Sequence, residues 1–556
     1  MKEYRVFGPP GTGKTTYLSR QIKEACKTRG SDQIIVASFT RAAAHEIANK
    51  RVDGLKIPVP KENVGTLHSH CYRLLGSPDI ADTKANEWNE EHPDFALSIS
   101  GKTDMDDLDN ERQSTTDGDV LFSNYQLLRA KMVEFQNMPA SVRSFAKRWE
   151  GWKKEMGYID FTDMIEMVYH DFDHFDGRPA IGFFDEVQDF VPLELALVRK
   201  MVKQMEQIVL AGDDDQAIYF FKGASPDAFL DPPLPEDHNR VLKQSYRVPK
   251  KVQAVAEKWI KQVRRRFEKE YRYREQAEGA VEVSGEITLK HPDFIVRHLE
   301  KELEGKNDLG NPKRVMILAS CSYMLKDIIR VMRNEGIAFH NPYRTTNGAW
   351  NPLGKRRGTT VAERMLSFLA TDYDIFGENA KDGFTHGDIQ RFIHDLKSDT
   401  ALLKGAKTRI KMDLQLKPAI ENKSADLRRY FDEEVVKLFA MGDLDEKLNW
   451  FMANLLGSKV TRYEYPYKII KSGDIEAFSR QPRIVVGTIH SVKGGEADTV
   501  YLFPDLSPRS MISWVNEGDG KDAIVRSFYV GMTRARNKLV LCSPASGRHV
   551  DTFRYF

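Results

Sequence analysis

A glycine-rich segment that begins at residue 8 constrains the fold of this chain more than any other feature. The segment consists of Gly8, Pro9, Pro10, Gly11, Thr12, Gly13, Lys14 and Thr15. Its spacing fits a phosphate-binding loop, in which glycines allow backbone N–H groups to surround phosphate oxygens at the start of a helix. The short, mainly apolar segment 4–7 before it predicts a strand, and residues 15–25 after it predict a helix. We therefore expect an α/β nucleotide-binding fold in which Lys14 contacts the β and γ phosphates and Thr15 binds Mg²⁺.

A pair of adjacent carboxylates follows the next clear strand signal. The apolar run 181–184 predicts a buried parallel strand, and Asp185 and Glu186 come directly after it. We expect Asp185 to bind the metal and Glu186 to orient and deprotonate the attacking water, which indicates hydrolysis of the nucleotide. A solvated acidic turn is the alternative for such a pair, and a small-molecule kinase would place a substrate hydroxyl at the same point.

A third strand-to-loop segment adds an amide and several aromatic rings. Residues 208–211 predict a strand, and Gln216 follows in a position from which its amide could sense the γ-phosphate. Tyr219 and Phe221 come just beyond Gln216. This adjacency predicts a sensor next to a stacking platform for bases, although aromatic residues at such spacing more often belong to a core.

The order of these segments, together with five others, resembles that of the superfamily I DNA helicases of the UvrD/Rep/PcrA type. The further segments are 37–44 (ASFTRAAA), 65–69 (GTLHS), 242–247 (LKQSYR), 487–496 (GTIHSVKGGE) and 528–535 (FYVGMTRA). The resemblance implies an ATP-dependent DNA helicase with ATP and Mg²⁺ as cofactors. It also implies 3′-to-5′ movement on single-stranded DNA and action on 3′-tailed duplexes, as a monomer or a transient dimer.

The same resemblance implies the fold class: two RecA-like P-loop NTPase lobes with parallel sheets flanked by helices, each with an inserted, mainly helical subdomain. The first lobe would comprise residues 1–74 and 158–247, with 75–157 inserted. The second would comprise 248–342 and 482–556, with 343–481 inserted, where Thr385 is predicted to start a helix with apolar positions 389, 392, 393 and 396.

The resemblance also assigns site residues. Arg247 and Arg534 would reach the γ-phosphate, where arginines stabilise charge in the transition state. The nucleotide-binding set would comprise the segment from Gly8 to Thr15 with Thr16, Tyr246, Arg247, Glu496 and Arg534. The DNA-binding set would comprise Phe39, Thr40, His68, Tyr219, Phe221 and His490.

The region around the phosphate loop departs from the family pattern. The seven residues before Gly8 are too few for the upstream glutamine segment that reads adenine in these helicases, and Thr16 stands where they commonly have arginine. Tyr246 remains to stack on the base. We therefore expect a weakened preference for ATP over other purine triphosphates.

Composition excludes few classes. A formal net charge of +2 indicates that any nucleic-acid site is a local groove, and the acidic stretch 79–119 predicts a solvated loop at its centre. The basic run 261–274 fits either a phosphate track or the solvated face of a helix with pairing to Glu268 and Glu270.

The four cysteines lack zinc-site spacing, and we expect buried, reduced thiols. Without an apolar run long enough to cross a bilayer, the sequence predicts a soluble protein of the cytoplasm.

Three other functions remain open from the sequence. A translocase could displace bound proteins from single-stranded DNA without productive unwinding. An RNA-directed enzyme is disfavoured by the motif set, but no residue here excludes it, because the residue that would discriminate the 2′-hydroxyl cannot be identified from sequence. A binding module without catalysis is disfavoured by the complete set Lys14, Asp185, Glu186, Gln216, Arg247 and Arg534.

Overall fold

The computed structural model describes most of the chain. The described residues are 3–40, 43–44, 46–47, 51–52, 55–56, 59–98, 116–344, 348–354, 359–371 and 383–552. Within these ranges, no helix combines the length and the apolar character needed to cross a membrane. The centre of the acidic stretch, residues 99–115, lies outside the described residues, so the prediction of a loop there is untested.

The chain divides into two compact units. The first comprises Met1–Ser284, Ala319–Ser322 and Thr488–Phe556, and the second comprises Gly285–Leu318 and Tyr323–Gly487. The division of the chain into two lobes and two insertions stays a prediction.

A parallel six-stranded sheet forms the centre of the first unit. Its strands are β1 (Glu3–Phe7), β2 (Ile34–Ser38), β5 (Val64–Gly65), β6 (Ile181–Asp185), β7 (Gln207–Gly212) and β8 (Asn239–Val241). They lie in the order β5-β2-β6-β7-β1-β8, and a separate antiparallel pair is formed by β3 (Arg51–Val52) and β4 (Leu55–Lys56). The strands predicted before the phosphate loop, the carboxylate pair and Gln216 are thus confirmed as β1, β6 and β7.

The alternation of side chains along these strands explains why the sheet is buried on both faces. Phe7, Ile35, Phe184 and Leu210 belong to one core, and Val6, Val36, Phe183 and Val209 belong to the other. Strands buried on both faces read as continuous apolar runs, as parallel strands covered by helices do. The carboxyl ends of β1, β6 and β7 consequently meet at one edge, which positions the candidate site.

Nine helices lie between Lys14 and Ile260 in the described part of the first unit. They are α1 (Lys14–Arg29), α2 (Leu67–Leu74), α3 (Ala85–Glu91), α4 (Asp117–Ala130), α5 (Ala140–Met156), α6 (Phe161–Asp171), α7 (Pro192–Met201), α8 (Pro226–Leu230) and α9 (Lys250–Ile260). Helix α1 confirms the helix predicted after the phosphate loop. Trp88, Phe145, Trp149 and Trp152 form a separate core among α3, α4 and α5.

A second parallel-sheet region follows. Within the first unit, β14 (Ala535–Cys542) lies between β13 (Ala497–Leu502) and β9 (Ala280–Ser284), with α18 (Pro508–Val515) and α19 (Asp519–Met532) nearby in sequence. In the region of the second unit, β10 (Val315–Ala319) precedes β11 (Phe339–His340), which pairs in parallel with β12 (Ile484–Thr488). The predicted fold class of two parallel-sheet α/β regions flanked by helices is confirmed.

The second unit is mainly helical. Its helices are α10 (Asp293–Leu303), α11 (Lys326–Asn334), α12 (Val361–Phe368), α13 (His386–Ile393), α14 (Ala406–Leu416), α15 (Glu433–Met441), α16 (Leu444–Ala453) and α17 (Gly457–Lys471). The helix predicted at Thr385 is confirmed as α13: Thr385 accepts from the Asp388 N–H, and the Asp388 carboxylate accepts from the Thr385 N–H. Its predicted apolar positions are buried.

Two smaller expectations need correction. Helix α9 ends at Ile260 and residues 261–274 are not helical, so the prediction of a solvated helix face there is wrong. The cysteines are free, but only Cys71, Cys321 and Cys542 are buried, whereas Cys26 is half-buried on α1.

Candidate nucleotide and nucleic-acid site

The phosphate loop lies between β1 and α1 and is fixed by its neighbours. Gly11 and Gly13 have left-handed φ angles of 74° and 75°, which glycine adopts without strain. A Cβ on Gly11 would lie 2.5 Å from the Cβ of Arg247, so the loop and the segment at Arg247 can approach this closely only with glycine. The Pro10 carbonyl accepts from Ser245 Oγ at 3.0 Å and from the Tyr271 hydroxyl at 2.9 Å.

Lys14 points toward the carboxylate pair at the end of β6. Its Nζ lies 2.5 Å from Glu186 Oε1 and 3.5 Å from Asp185 Oδ1. Glu186 has a left-handed φ of 56°, an unusual conformation for a residue with a side chain and one that occurs at functional sites. The structure thus brings the predicted phosphate ligand, metal ligand and base together.

Charge decides the ionisation of these groups. Burial opposes the charge of Glu186, but the ammonium groups of Lys14 and Lys493 outweigh it and lower its pKa. Burial likewise opposes the charge of Lys14, and the carboxylates of Glu186 and Asp185 outweigh it and raise its pKa. Glu186 is therefore ionised at neutral pH, as a base that takes a proton from water must be.

Asp185 has the character of a divalent-metal ligand. It is 2% exposed, and burial raises its pKa to about 6 because Lys14 offsets the burial only in part. A divalent cation would compensate this buried carboxylate, and hydroxyl and carboxylate oxygens are ligands that Mg²⁺ accepts. The donor chemistry of Asp185 therefore fits a magnesium ion, and Thr15 offers a hydroxyl oxygen from the first turn of α1.

Gln216 is oriented at both ends of its amide. Its Nε2 donates to Asp213 Oδ2 at 2.6 Å, and its Oε1 accepts from Arg534 Nη2 at 3.1 Å. Arg534 is 1% exposed and also donates to the carbonyl oxygens of Val530 and Gly495. The predicted sensor and the predicted arginine are thus in direct contact.

Arg247 and Glu496 form an ion pair beside the phosphate loop. Arg247 Nε donates to Glu496 Oε2 at 2.7 Å, and Arg536 Nη1 donates to the other carboxylate oxygen at 2.7 Å. Tyr246 donates its N–H to the Gly11 carbonyl, and its side chain is 66% exposed. Thr15 and Thr16 lie in the first turn of α1, both half-buried.

Four of the predicted DNA-binding side chains form an aromatic cluster, which comprises Phe39, Tyr219, Phe221 and His490. The ring centroids of Phe39 and Tyr219 are 4.9 Å apart, and those of Phe221 and His490 are 5.6 Å apart. Lys222 Nζ lies 4.4 Å from the Tyr219 centroid. A cation among half-buried rings suits the bases and phosphates of a single strand.

His68 and Thr40 have other neighbours. The His68 ring lies edge-on 6.2 Å from Phe161, and its Nδ1 is 3.4 Å from Glu194 Oε1. Thr40 is exposed, and its Oγ1 accepts from the Ala43 N–H at 3.2 Å. The described contacts of the His68 ring and of the Thr40 hydroxyl are thus with residues outside the aromatic cluster.

Sequence reasoning missed Lys493, which joins the two halves of the site. Its ammonium pairs with Asp189, donates to the Gln216 carbonyl at 3.0 Å, and lies 3.7 Å from Glu186 Oε2 and 5.3 Å from the Tyr219 centroid. Its place inside the segment 487–496 was a signal, but only the fold shows which groups it meets.

Comparisons with known proteins agree with this geometry. Residues 2–233 match the UvrD/REP helicase N-terminal domain, and residues 446–545 match the UvrD-like helicase C-terminal domain. The chain is 22% identical to DNA helicase II of Escherichia coli and to that of Salmonella typhimurium, over 96% of this chain and 81% of each relative. It is also 22% identical to the putative ATP-dependent DNA helicase YjcD of Bacillus subtilis, over 48% of this chain and 37% of that protein.

Proposed function

The chain belongs to the UvrD/Rep-type superfamily I of ATP-dependent DNA helicases, and we propose that it moves 3′ to 5′ on single-stranded DNA and unwinds duplex DNA as it hydrolyses ATP. One observation carries the proposal: Lys493 contacts the catalytic carboxylate region, the Gln216 backbone and the Tyr219 ring together. A change in nucleotide state at Glu186 would thus reach the aromatic cluster through one side chain.

The hydrolytic roles follow from charge and position. Lys14 would bind the phosphates, and Glu186 would take the proton of the attacking water. Arg534, oriented by Gln216, and Arg247, oriented by Glu496, would stabilise the transition-state charge, a contribution of about 10³–10⁵ in rate for such arginines. Thr15 and Asp185 would hold Mg²⁺, which neutralises phosphate charge when bound.

The aromatic cluster would hold the single strand. Stacking of a base on an aromatic ring contributes ~1–3 kcal/mol and tolerates any sequence, as a motor requires. Lys222 would add a phosphate or cation–π contact. Thr40 and His68 would contact the strand outside the cluster, and the enzyme would act as a monomer or a transient dimer.

The nucleobase would meet mainly the exposed ring of Tyr246. A ring that offers only a stacking face does not distinguish adenine from guanine, since both present a π-face. We expect the kcat/KM for GTP to lie within about tenfold of that for ATP, a difference of 1.4 kcal/mol. A GTP value several hundredfold lower under matched conditions would contradict this.

Strand separation on three matched DNA substrates tests the proposal. The substrates carry a 3′ tail, a 5′ tail or blunt ends, and E186Q is the matched control because it keeps the shape of the side chain and removes the base. We expect ATP-dependent opening of the 3′-tailed duplex alone, with E186Q slower by at least ~10³ in hydrolysis while it still binds ATP.

Two results would overturn parts of the proposal. Opening of the 5′-tailed duplex alone would reverse the polarity. DNA-stimulated hydrolysis without any strand separation would identify a translocase that displaces bound proteins, and the unwinding activity would then be withdrawn.

A further inference from the structure

The basic run at residues 261–274, which we call the strap, is irregular in backbone conformation, and its cations are paired inside the first unit. Arg264 pairs with Asp519 and Asp522, Arg265 with Asp227 and Asp231, and Arg266 with Asp215. Phe267 stacks on Phe7, the last residue of β1, with centroids 3.9 Å apart. These partners come from distant parts of the chain rather than from one helix face, in keeping with the non-helical backbone of the run.

Lys269 is the most deeply buried cation of the strap. Its side chain is 1% exposed, and its Nζ lies 3.0 Å from Asp213 Oδ1 and 2.9 Å from Asp215 Oδ2, with Asp214 also in contact. Burial opposes the charge of Lys269, but the three carboxylates outweigh it and raise its pKa. The ammonium of Lys269 is therefore charged at neutral pH in the folded protein.

The shared partner Asp213 connects Lys269 to the nucleotide site. One carboxylate oxygen of Asp213 meets Lys269, and the other accepts from Gln216 Nε2 at 2.6 Å. The opposite end of that amide accepts from Arg534. The Gln216 amide can be turned either way, so its neighbours decide its orientation: Asp213, held by Lys269, accepts from the N–H end, and the guanidinium of Arg534, which can only donate, meets the oxygen.

We propose that Lys269 is a positioning residue for ATP hydrolysis: through Asp213 it fixes the amide of Gln216 and thereby the guanidinium of Arg534. This inference rests on the proposed roles of Gln216 and Arg534. Lys269 does not touch the nucleotide. Its ion pair with Asp213 is followed by two hydrogen bonds, from Gln216 to Asp213 and from Arg534 to Gln216, all within the first unit. These contacts link the strap to the residues proposed to act in ATP hydrolysis.

A double-mutant cycle on ATP hydrolysis at saturating single-stranded DNA tests the proposal. The variants are K269M, Q216A and K269M/Q216A, and each is checked for folding by urea denaturation. We expect K269M to lower kcat about 30-fold, in the range for a lost hydrogen bond to a charged group, with the KM for ATP changed less than about threefold. In the Q216A background, K269M should change kcat less than about twofold, because the group that it positions is already gone.

A second variant covers the case in which K269M does not fold. D213N removes one buried charge and keeps the side-chain shape, but its amide nitrogen faces either Lys269 or Gln216 as a second donor. We expect D213N to fold and to lose kcat about as much as K269M, again without further loss in the Q216A background. The matched control is K153M, which removes another buried lysine held by aspartates, away from Gln216. K153M should lower stability and leave kcat within about twofold.

Other outcomes distinguish a failure of the role proposed for Lys269 from a failure of the role proposed for Gln216. If Q216A is impaired and the losses from K269M and Q216A multiply, Lys269 does not act through Gln216 and the inference fails alone. The inference also fails alone if D213N has the wild-type kcat, or if K153M loses as much kcat as K269M does. If Q216A itself hydrolyses ATP at the wild-type rate, the assigned role of Gln216 fails, and this inference fails with it.

Discussion

Lys269 in the strap and Lys153 on α5 are both buried among aspartates, but the aspartates make different second contacts. Lys153 is 3% exposed, and its Nζ lies 2.8 Å from Asp160 and 2.9 Å from Glu150. Asp160 also binds Arg129 Nη1 at 3.0 Å and Trp149 Nε1 at 2.9 Å, so its bonds join α4 and α5 to the start of α6. Asp213, one of the three aspartates around Lys269, instead binds the amide of Gln216.

The comparison shows that burial and charge alone do not reveal a functional residue. Both lysines have raised pKa values, because carboxylates outweigh the burial that opposes their charge. Glu150, Asp160 and Asp163 even lie close enough together to resemble a metal site, but Lys153 and Arg129 already neutralise them. What distinguishes the two lysines is the second contact of the carboxylate that each one binds. Asp160 joins helices of the fold, whereas Asp213 binds the amide of Gln216 in the candidate site.

The largest expected effect is the loss of stability when Asp160 is removed from the cluster around Lys153. D160A removes the fully buried one of the carboxylates that Arg129 and Lys153 share, and we expect the free energy of unfolding to fall by about 3–5 kcal/mol. Urea denaturation measures this, with the exposed D171A as the control. Hydrolysis by the folded protein should stay within about twofold of wild type. A tenfold loss of kcat in fully folded D160A would erase the distinction between the two clusters.

A buried carboxylate outside both clusters gives the next effect. Burial raises the pKa of Glu194 to about 7 from an ordinary 4.5, and the Val191 N–H and the charge of Lys222 offset this only in part. The folded protein therefore binds the proton more tightly than the unfolded chain does, and stability falls as pH rises from 4.5 toward 7. We expect E194Q to be more stable than wild type by about 1–3 kcal/mol at pH 8.5 and equal to it at pH 4. An equal stability difference at both pH values in thermal or urea unfolding would contradict the raised pKa.

The strap offers a smaller test of its own pairing. Arg266 binds Asp215 through Nε at 2.9 Å and through Nη2 at 2.6 Å, a two-bond geometry that lysine cannot reproduce. We expect R266K to lower the free energy of unfolding by about 1.5 kcal/mol. R265K is the matched control, because Arg265 pairs with carboxylates at the surface, where such pairs contribute about 0–1 kcal/mol. Equal losses in the two variants would show that the buried pair has no special strength.

The smallest expected effect compares two tyrosine hydrogen bonds, one to the phosphate loop and one outside the candidate site. The hydroxyls of Tyr271 and Tyr465 each donate to a backbone carbonyl, that of Pro10 in the phosphate loop and that of Ile337 in the second unit. Y271F and Y465F should each lower the free energy of unfolding by about 1 kcal/mol. Only Y271F should also raise the KM for ATP, by about threefold. An equal rise in KM for Y465F would show that the effect is not specific to the loop.

Local patterns made much of the fold predictable. The runs before Asp185 and Gly212 are apolar because parallel strands covered on both faces favour apolar side chains, and both are strands. The run before Gly8 is also a strand, in which the buried charge of Arg5 is paired with Glu3. The helix at Thr385 was predictable from its capping box. The basic run was misread because spaced charges of both signs fit a helix face, whereas its partners come from residues 213–215, 227–231 and 519–522.

The phosphate loop, the carboxylate pair and the strands that carry them could be predicted without the fold, because each depends on residues that are neighbours in the chain. Tertiary structure alone decided that Lys493 joins Glu186 to Tyr219, that Gln216 meets Arg534, and that His68 lies beside Glu194 rather than in the aromatic cluster. It also placed Lys269 beside Asp214, 55 positions away in the chain. The physical reason is that a buried charge is tolerated only where opposite charges converge on it, and the fold, not the local sequence, brings them together.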